Sequence, residues 1–98
     1  MGDSREQFVD HSFEAPNGEV EQAVARIFAE VLDVDQVGRT DSFYDFGGTS
    51  LQAIRICARV EAELGCQIPP EWLFTSDVVE DFASKVEEGC VVTSEADE

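Results

Sequence analysis

Between Val20 and Leu32 the apolar residues fall at Val20, Ala23, Val24, Ile27, Phe28, Val31 and Leu32, in alternating steps of three and one. The 3.6-residue turn of an α-helix gathers such positions into one stripe, whereas a half-buried strand needs alternation by two. The segment therefore predicts an amphipathic helix with one face to bury. Asn17 is the expected N-cap, and Glu19 and Glu21 lie in the first turn, where the helix dipole favours acids.

Later segments repeat the argument. Ser50 is predicted to cap a second helix that runs to about Leu64 and stops at Gly65. On that helix Gln52, Arg55, Arg59 and Glu63 share a narrow polar face, and most other positions are apolar, which predicts a helix packed centrally in a bundle. Arg55 and Arg59 on the ridge are suited either to a partner or to nearby acids. Pro70 suits the first position of a short helical turn through Trp72 and Phe74. Thr75 or Ser76 then caps a last helix marked by Val78, Val79, Phe82, Ala83 and Val86. The predicted fold class is all-α: a small four-helix bundle of three main helices and one short one, with no strand pattern and no internal repeat. Residues 1–16, which end in Pro16, read as a flexible leader, 17–88 as the folded domain, and 89–98 as an acidic disordered tail.

A domain of about 70 residues has a small core, with little room for a water-excluded substrate cavity. The 22 acidic residues outnumber the 6 basic ones and leave a net charge of −16. That charge repels nucleic acid and anionic membrane surfaces, and it favours protein partners with basic docking patches. The 3 cysteines, Cys57, Cys66 and Cys90, show no CxxC spacing and predict neither a disulfide framework nor a zinc site. Cys57 lies within an apolar helical pattern and reads as a small buried hydrophobe. A single histidine rules out a Cys/His metal cluster, so no metal is expected. No apolar run suggests a signal peptide or a membrane span, and the expected location is the reducing cytoplasm.

Between the first two helices lies a long connection, about Val34 to Thr49, whose Phe43, Tyr44 and Phe46 are expected to pin it to the core. It ends in Gly47-Gly48-Thr49-Ser50. A nucleophilic serine needs a base, yet the only histidine, His11, lies in the leader, and Ala53 stands where an SxxK motif would need lysine. A P-loop needs a lysine before the serine, and none is present. A serine that accepts a covalent group needs no base of its own, because the modifying enzyme brings one. It needs access, which Gly47 and Gly48 give, and a firm base. A helix N-terminus gives that base and favours an attached phosphodiester by roughly 0.3–1 kcal/mol.

FYDFGGTSLQAIRI resembles the phosphopantetheine attachment motif of the acyl and peptidyl carrier protein superfamily, and the resemblance runs from about Glu19 to Glu88. DSFYDFGGTSL is most similar to the peptidyl carrier, or thiolation, type of nonribosomal peptide synthesis. Thr49 stands where fatty-acid carriers have aspartate, and Phe46 replaces the usual leucine. The resemblance implies a four-helix carrier whose Ser50 receives 4′-phosphopantetheine from coenzyme A, with Gly47, Gly48 and Thr49 forming the attachment turn. It implies no catalysis by the chain. A phosphopantetheinyl transferase, an adenylation enzyme and downstream condensation or tailoring enzymes are the implied partners. Leu51, Gln52, Arg55 and Phe46 form the expected docking surface, Leu51 being equally suited to the core. The expected protein is a free-standing monomeric carrier, because 98 residues starting with methionine leave no room for synthetase domains; an excised domain of a synthetase stays open. Two alternatives are a polyketide acyl carrier and an acidic calcium-binding or adaptor module. For the latter, Asp33, Asp35, Gly38 and Asp41 match positions of an EF-hand loop, but Val37 and Tyr44 stand where ligands are required.

Overall fold

The computed structural model describes residues 3–96, with side chains as far as residue 89. Four α-helices follow one another: α1 Glu19–Leu32, α2 Ser50–Leu64, α3 Pro70–Thr75 and α4 Val79–Ala96. Short 3-10 turns occupy Arg5–Gln7 and Tyr44–Phe46, and two isolated bridges, Asp3 to Val34 and Ser42 to Val78, are the only β-pairing among the described residues. α1 packs against α2 and α4, while α3 closes the far side between α2 and α4.

The helical stripe of α1 goes inward as its spacing predicts: Val24, Ile27 and Phe28 are almost wholly buried. Phe28 meets Phe43 of the connecting loop edge-on at 6.2 Å and Phe82 of α4 at 6.1 Å, so one ring ties three segments together. Burying each such side chain stabilises the fold by about 1.5–3 kcal/mol. Val79, Phe82, Ala83 and Val86 of α4 are buried, and so is Cys57 of α2. Burial pushes the Cys57 thiol up to about 12, with the Glu61 and Glu71 carboxylates adding to it.

Four features differ from the sequence-based expectations. The N-cap of α1 is Gly18, with no side-chain cap bond, and Asn17 instead donates its backbone N–H to Glu21 Oε1 at 2.9 Å. α2 is not apolar all round its buried circumference, because Leu51 and Ile54 stand 59% and 51% exposed, with Ala58 and Ala62 also outward. Its Arg59 and Glu63 face α1, where they pair with Glu30 and Arg26. Cys66 is disulfide-bonded, which an odd cysteine count without motif spacing gave no reason to expect.

The fourth difference concerns the ends. The segment read as a flexible leader lies against the body: Arg5 and Val9 are buried, and Asp3 pairs with the loop after α1. A mixed-charge segment without a period gives no helical signal, yet its buried Arg5 and Val9 and its backbone bonds hold it to the body. At the other end α4 continues to Ala96, past the point near Glu88 where the expected disordered tail begins; residues 97 and 98 lie outside the described residues.

Candidate functional site

The loop to Ser50 is built around its aromatics. Phe43 and Phe46 stand three residues apart in and beside a 3-10 turn, whose three-residue period points both inward, and they are 0% and 6% exposed. Tyr44, between them, is turned out at 49% exposure, and its hydroxyl donates to the Phe74 carbonyl at 3.3 Å. Only two of the three aromatics therefore pin the loop. Phe46, expected on the docking surface, is a core residue whose ring meets that of Phe8 at 5.5 Å in a tilted contact, and the exposed aromatic of the turn is Tyr44.

The two glycines serve different needs. Gly47 ends the 3-10 turn at φ +73, a left-handed conformation that side chains with a Cβ adopt only with strain, and open space surrounds it. Gly48 has no such backbone demand. A Cβ there would stand 2.3–2.5 Å from the Phe43 ring, so its smallness lets the chain cross a core aromatic rather than clearing a path for a visitor. Gly48→Ala is accordingly expected to cost about 1–3 kcal/mol through overpacking, read as a fall in urea midpoint with unchanged slope.

Thr49, not Ser50, caps α2. The Gln52 N–H donates to Thr49 Oγ1 at 3.2 Å, and the Gln52 side-chain oxygen accepts the Thr49 N–H at 3.0 Å, a complete capping box. Ser50 is the first helical residue, it is exposed, and its hydroxyl makes no hydrogen bond among the described residues. The backbone N–H groups of Ser50 and Leu51 lie in the first turn, where no helical carbonyl is available to them, so the positive end of the dipole stays open to an anion. Ser50 thus has a free hydroxyl on a rigid base, beside unused donors. These features fit a covalently attached phosphodiester.

Leu51 and Ile54 on α2, Tyr44 in the loop that leads to Ser50 and Phe74 on α3 leave large apolar surfaces in solvent. Ile54 and Phe74 were not singled out by sequence; Ile54 lies three residues from Leu51 on the same helix face, a signal that the apolar circumference of α2 concealed. Arg55 is exposed and forms no ion pair among the described residues, whereas Arg5, Arg26, Arg39 and Arg59 all pair internally. A concavity of about 530 Å³, lined by Phe13, Ala25, Ala29 and Val34 among others, opens beside α1 and does not include Ser50. Two of the three acids of the calcium-like loop are engaged elsewhere: Asp41 binds Arg5, and Asp35 accepts the Arg5 N–H at 2.7 Å. No group of three His, Cys, Asp or Glu side chains among the described residues is placed to hold a metal. No helix among them is long and apolar enough to cross a membrane.

An all-helical domain that presents an unengaged serine at the head of its second long helix is a carrier in architecture. The chain belongs to the phosphopantetheine attachment site family, which matches residues 22–86. It is 40% identical over 82 residues to malpibaldin synthetase of Mortierella alpina, covering 84% of this chain and 2% of that protein. Among solved structures it is similar to the Pax NRPS docking domain complex PaxA T1-CDD/PaxB NDD, with a TM-score of 0.81, 26% identity, and coverage of 91% of this chain and 86% of that one. It also resembles the peptidyl carrier chain solved with the phosphopantetheine transferase Sfp and coenzyme A, with a TM-score of 0.73, 32% identity, and coverage of 78% and 99%. The chain is a phosphopantetheine-dependent carrier homologous to the carrier domains of nonribosomal peptide synthetases, and its cofactor is 4′-phosphopantetheine. It spans only about 2% of the length of the synthetase it matches.

Proposed function

We propose that Ser50 is the attachment residue, and that the chain carries an aminoacyl or peptidyl group as a thioester in nonribosomal peptide or related natural-product synthesis. The observation that carries this reading is the serine's own situation. Its hydroxyl is exposed and unbonded at the head of α2, while Thr49 takes the capping role that would otherwise have occupied it. In the loading reaction Ser50 Oγ attacks the pantetheine-side phosphorus of coenzyme A's pyrophosphate. The new P–O bond replaces the one to 3′,5′-ADP, which leaves, and the hydroxyl proton passes to a base on the transferase. The chain contributes a fixed oxygen and a favourable dipole; the bound arm supplies a thiol for thioester formation.

Partners meet the face around the serine. Exposed Leu51 and Ile54 on α2, with Tyr44 and Phe74 joined by their hydrogen bond, offer apolar anchors, and Arg55 offers a cation not spent on internal pairing. The transferase, an adenylation enzyme and downstream condensation or tailoring enzymes use this face in turn, and the chain acts as a monomer in the cytoplasm. Incubation with coenzyme A, Mg²⁺ and a phosphopantetheinyl transferase tests the reading by intact mass. One added phosphopantetheine on the wild type supports it, and no gain with several transferases overturns it.

A further inference from the structure

Residues 3–14 cross the loop between α1 and α2 and fasten to it at both ends and in the middle. At the start, the Asp3 N–H donates to the Asp33 carbonyl at 2.8 Å and the Asp35 N–H to the Asp3 carbonyl at 2.7 Å. At the finish, the Arg39 N–H donates to the Glu14 carbonyl at 2.8 Å, and a Cβ on Gly38 would stand 2.8 Å from that same carbonyl oxygen. Between them Arg5 reaches in to Asp41, with Nε donating to Oδ2 at 2.5 Å and Nη2 to Oδ1 at 2.8 Å. Both residues are buried, at 3% and 0% exposure, while the other charged residues among those described lie nearer solvent. His11 Nε2 approaches the same carboxylate at 2.7 Å from the solvent side. Three residues after Arg5, Phe8 lies on Phe46.

These contacts meet the loop at the residues that fix the serine turn. Phe46 immediately precedes Gly47, and Asp41 immediately precedes the stretch that carries Phe43, over which Gly48 must pass. The start of α4 and the residues leading into it hold the same stretch, since the Val79 N–H donates to the Asp41 carbonyl at 3.1 Å and the Phe43 N–H to the Asp77 carbonyl at 2.8 Å. Two consecutive glycines are the least ordered backbone a chain can offer, so the turn takes its shape from what flanks it. A clamp formed by the start of α4 and by residues 3–14 defines where Gly47 begins.

We propose that residues 3–14 are a positioning strap for the attachment reaction, with Arg5 acting through Asp41 and Phe8 through Phe46 to hold the turn that presents Ser50. This rests on the carrier reading given above. Loosening the strap lowers the fraction of molecules with a competent turn, and the apparent affinity for the transferase falls by that fraction while the chemical step is unaltered. If roughly one molecule in ten keeps the turn, KM for the carrier rises about tenfold with kcat unchanged.

The test compares loading kinetics of the full chain for the wild type, Arg5→Gln, Phe8→Ala and Val86→Ala, each at a temperature where circular dichroism reports it folded. Val86 is buried in α4 and makes none of the hydrogen bonds or ring contacts that join the strap to the loop, so its truncation is the control for lost core stability as such. The strap reading expects KM to rise for Arg5→Gln and Phe8→Ala and to stay put for Val86→Ala. It also expects the Gly47 and Gly48 amide signals in 1H–15N spectra to shift or broaden in the first two variants only. If Arg5→Gln does not fold, Phe8→Ala carries the test alone, because it leaves every buried charge paired. A folded Phe8→Ala loaded with wild-type KM and unmoved glycine signals overturns the strap, and so does a KM rise of equal size in Val86→Ala. If the wild type itself is never loaded, the carrier reading falls and the strap's role in it falls too.

Discussion

Ser50→Ala is expected to gain no mass with coenzyme A and any transferase, while unfolding at the wild-type denaturant concentration to within about 0.5 kcal/mol. The pairing of total functional loss with unchanged stability follows from the cap geometry. Ser50 is exposed, its hydroxyl is unbonded, and alanine is the best helix former at an early helical position. Thr49→Ala should do the reverse. It removes the oxygen that accepts the Gln52 N–H and breaks the capping box, at a cost of roughly 0.5–2 kcal/mol, yet leaves the acceptor hydroxyl in place. Intact mass and urea unfolding on the two variants separate attachment from capping. A loaded Ser50→Ala would place the arm on another residue, and a Ser50→Ala destabilised like Thr49→Ala would show that the serine shares the cap.

That division of labour was legible in the sequence but not in the most obvious place. Both Thr49 and Ser50 are cap-forming types, and the deciding signal is Gln52, three residues after Thr49, which completes a capping box for the threonine and not for the serine. The helices themselves were readable because periodicity reports burial directly, as in α1, where Val24, Ile27 and Phe28 all go inside. Periodicity failed where the period changed. Under a 3-10 turn Phe43 and Phe46 share a side and Tyr44 does not, and a reading that treats the three aromatics alike puts Tyr44 in the core. On α2, Leu51 and Ile54 look like core residues by composition, because nothing local distinguishes an apolar side chain that packs inside from one left for a visitor. The strap was invisible for a different reason. Arg5 and Asp41 stand 36 residues apart, and an ion pair across that separation leaves no trace in local pattern.

That ion pair carries the second large expectation. Asp41→Asn should lower stability at pH 7 by about 3–5 kcal/mol, because it leaves the Arg5 guanidinium buried without a counter-charge. For a domain this small the corresponding fall in Tm is roughly 12–40 °C, enough to bring the variant close to its unfolding threshold. Replacing both partners, as in Arg5→Met with Asp41→Leu, should recover part of the loss and not all of it. The Gly38 N–H, which donates to Asp41 Oδ2 at 2.8 Å, would still lose its acceptor. The pH dependence has a definite sign. Burial of Asp41 acts to raise its pKa, but the bonds from Arg5, Gly38 and His11 outweigh it, and the carboxyl is held below its ordinary 3.8. A carboxylate depressed in the folded state stabilises fully above its unfolded pKa and loses that contribution as pH falls through the folded value. The gap between wild type and Asp41→Asn should therefore narrow as pH falls below about 4, in urea titrations at fixed ionic strength. A gap that stayed constant to pH 2 would mean that Asp41 is not the charge that holds Arg5 in the fold.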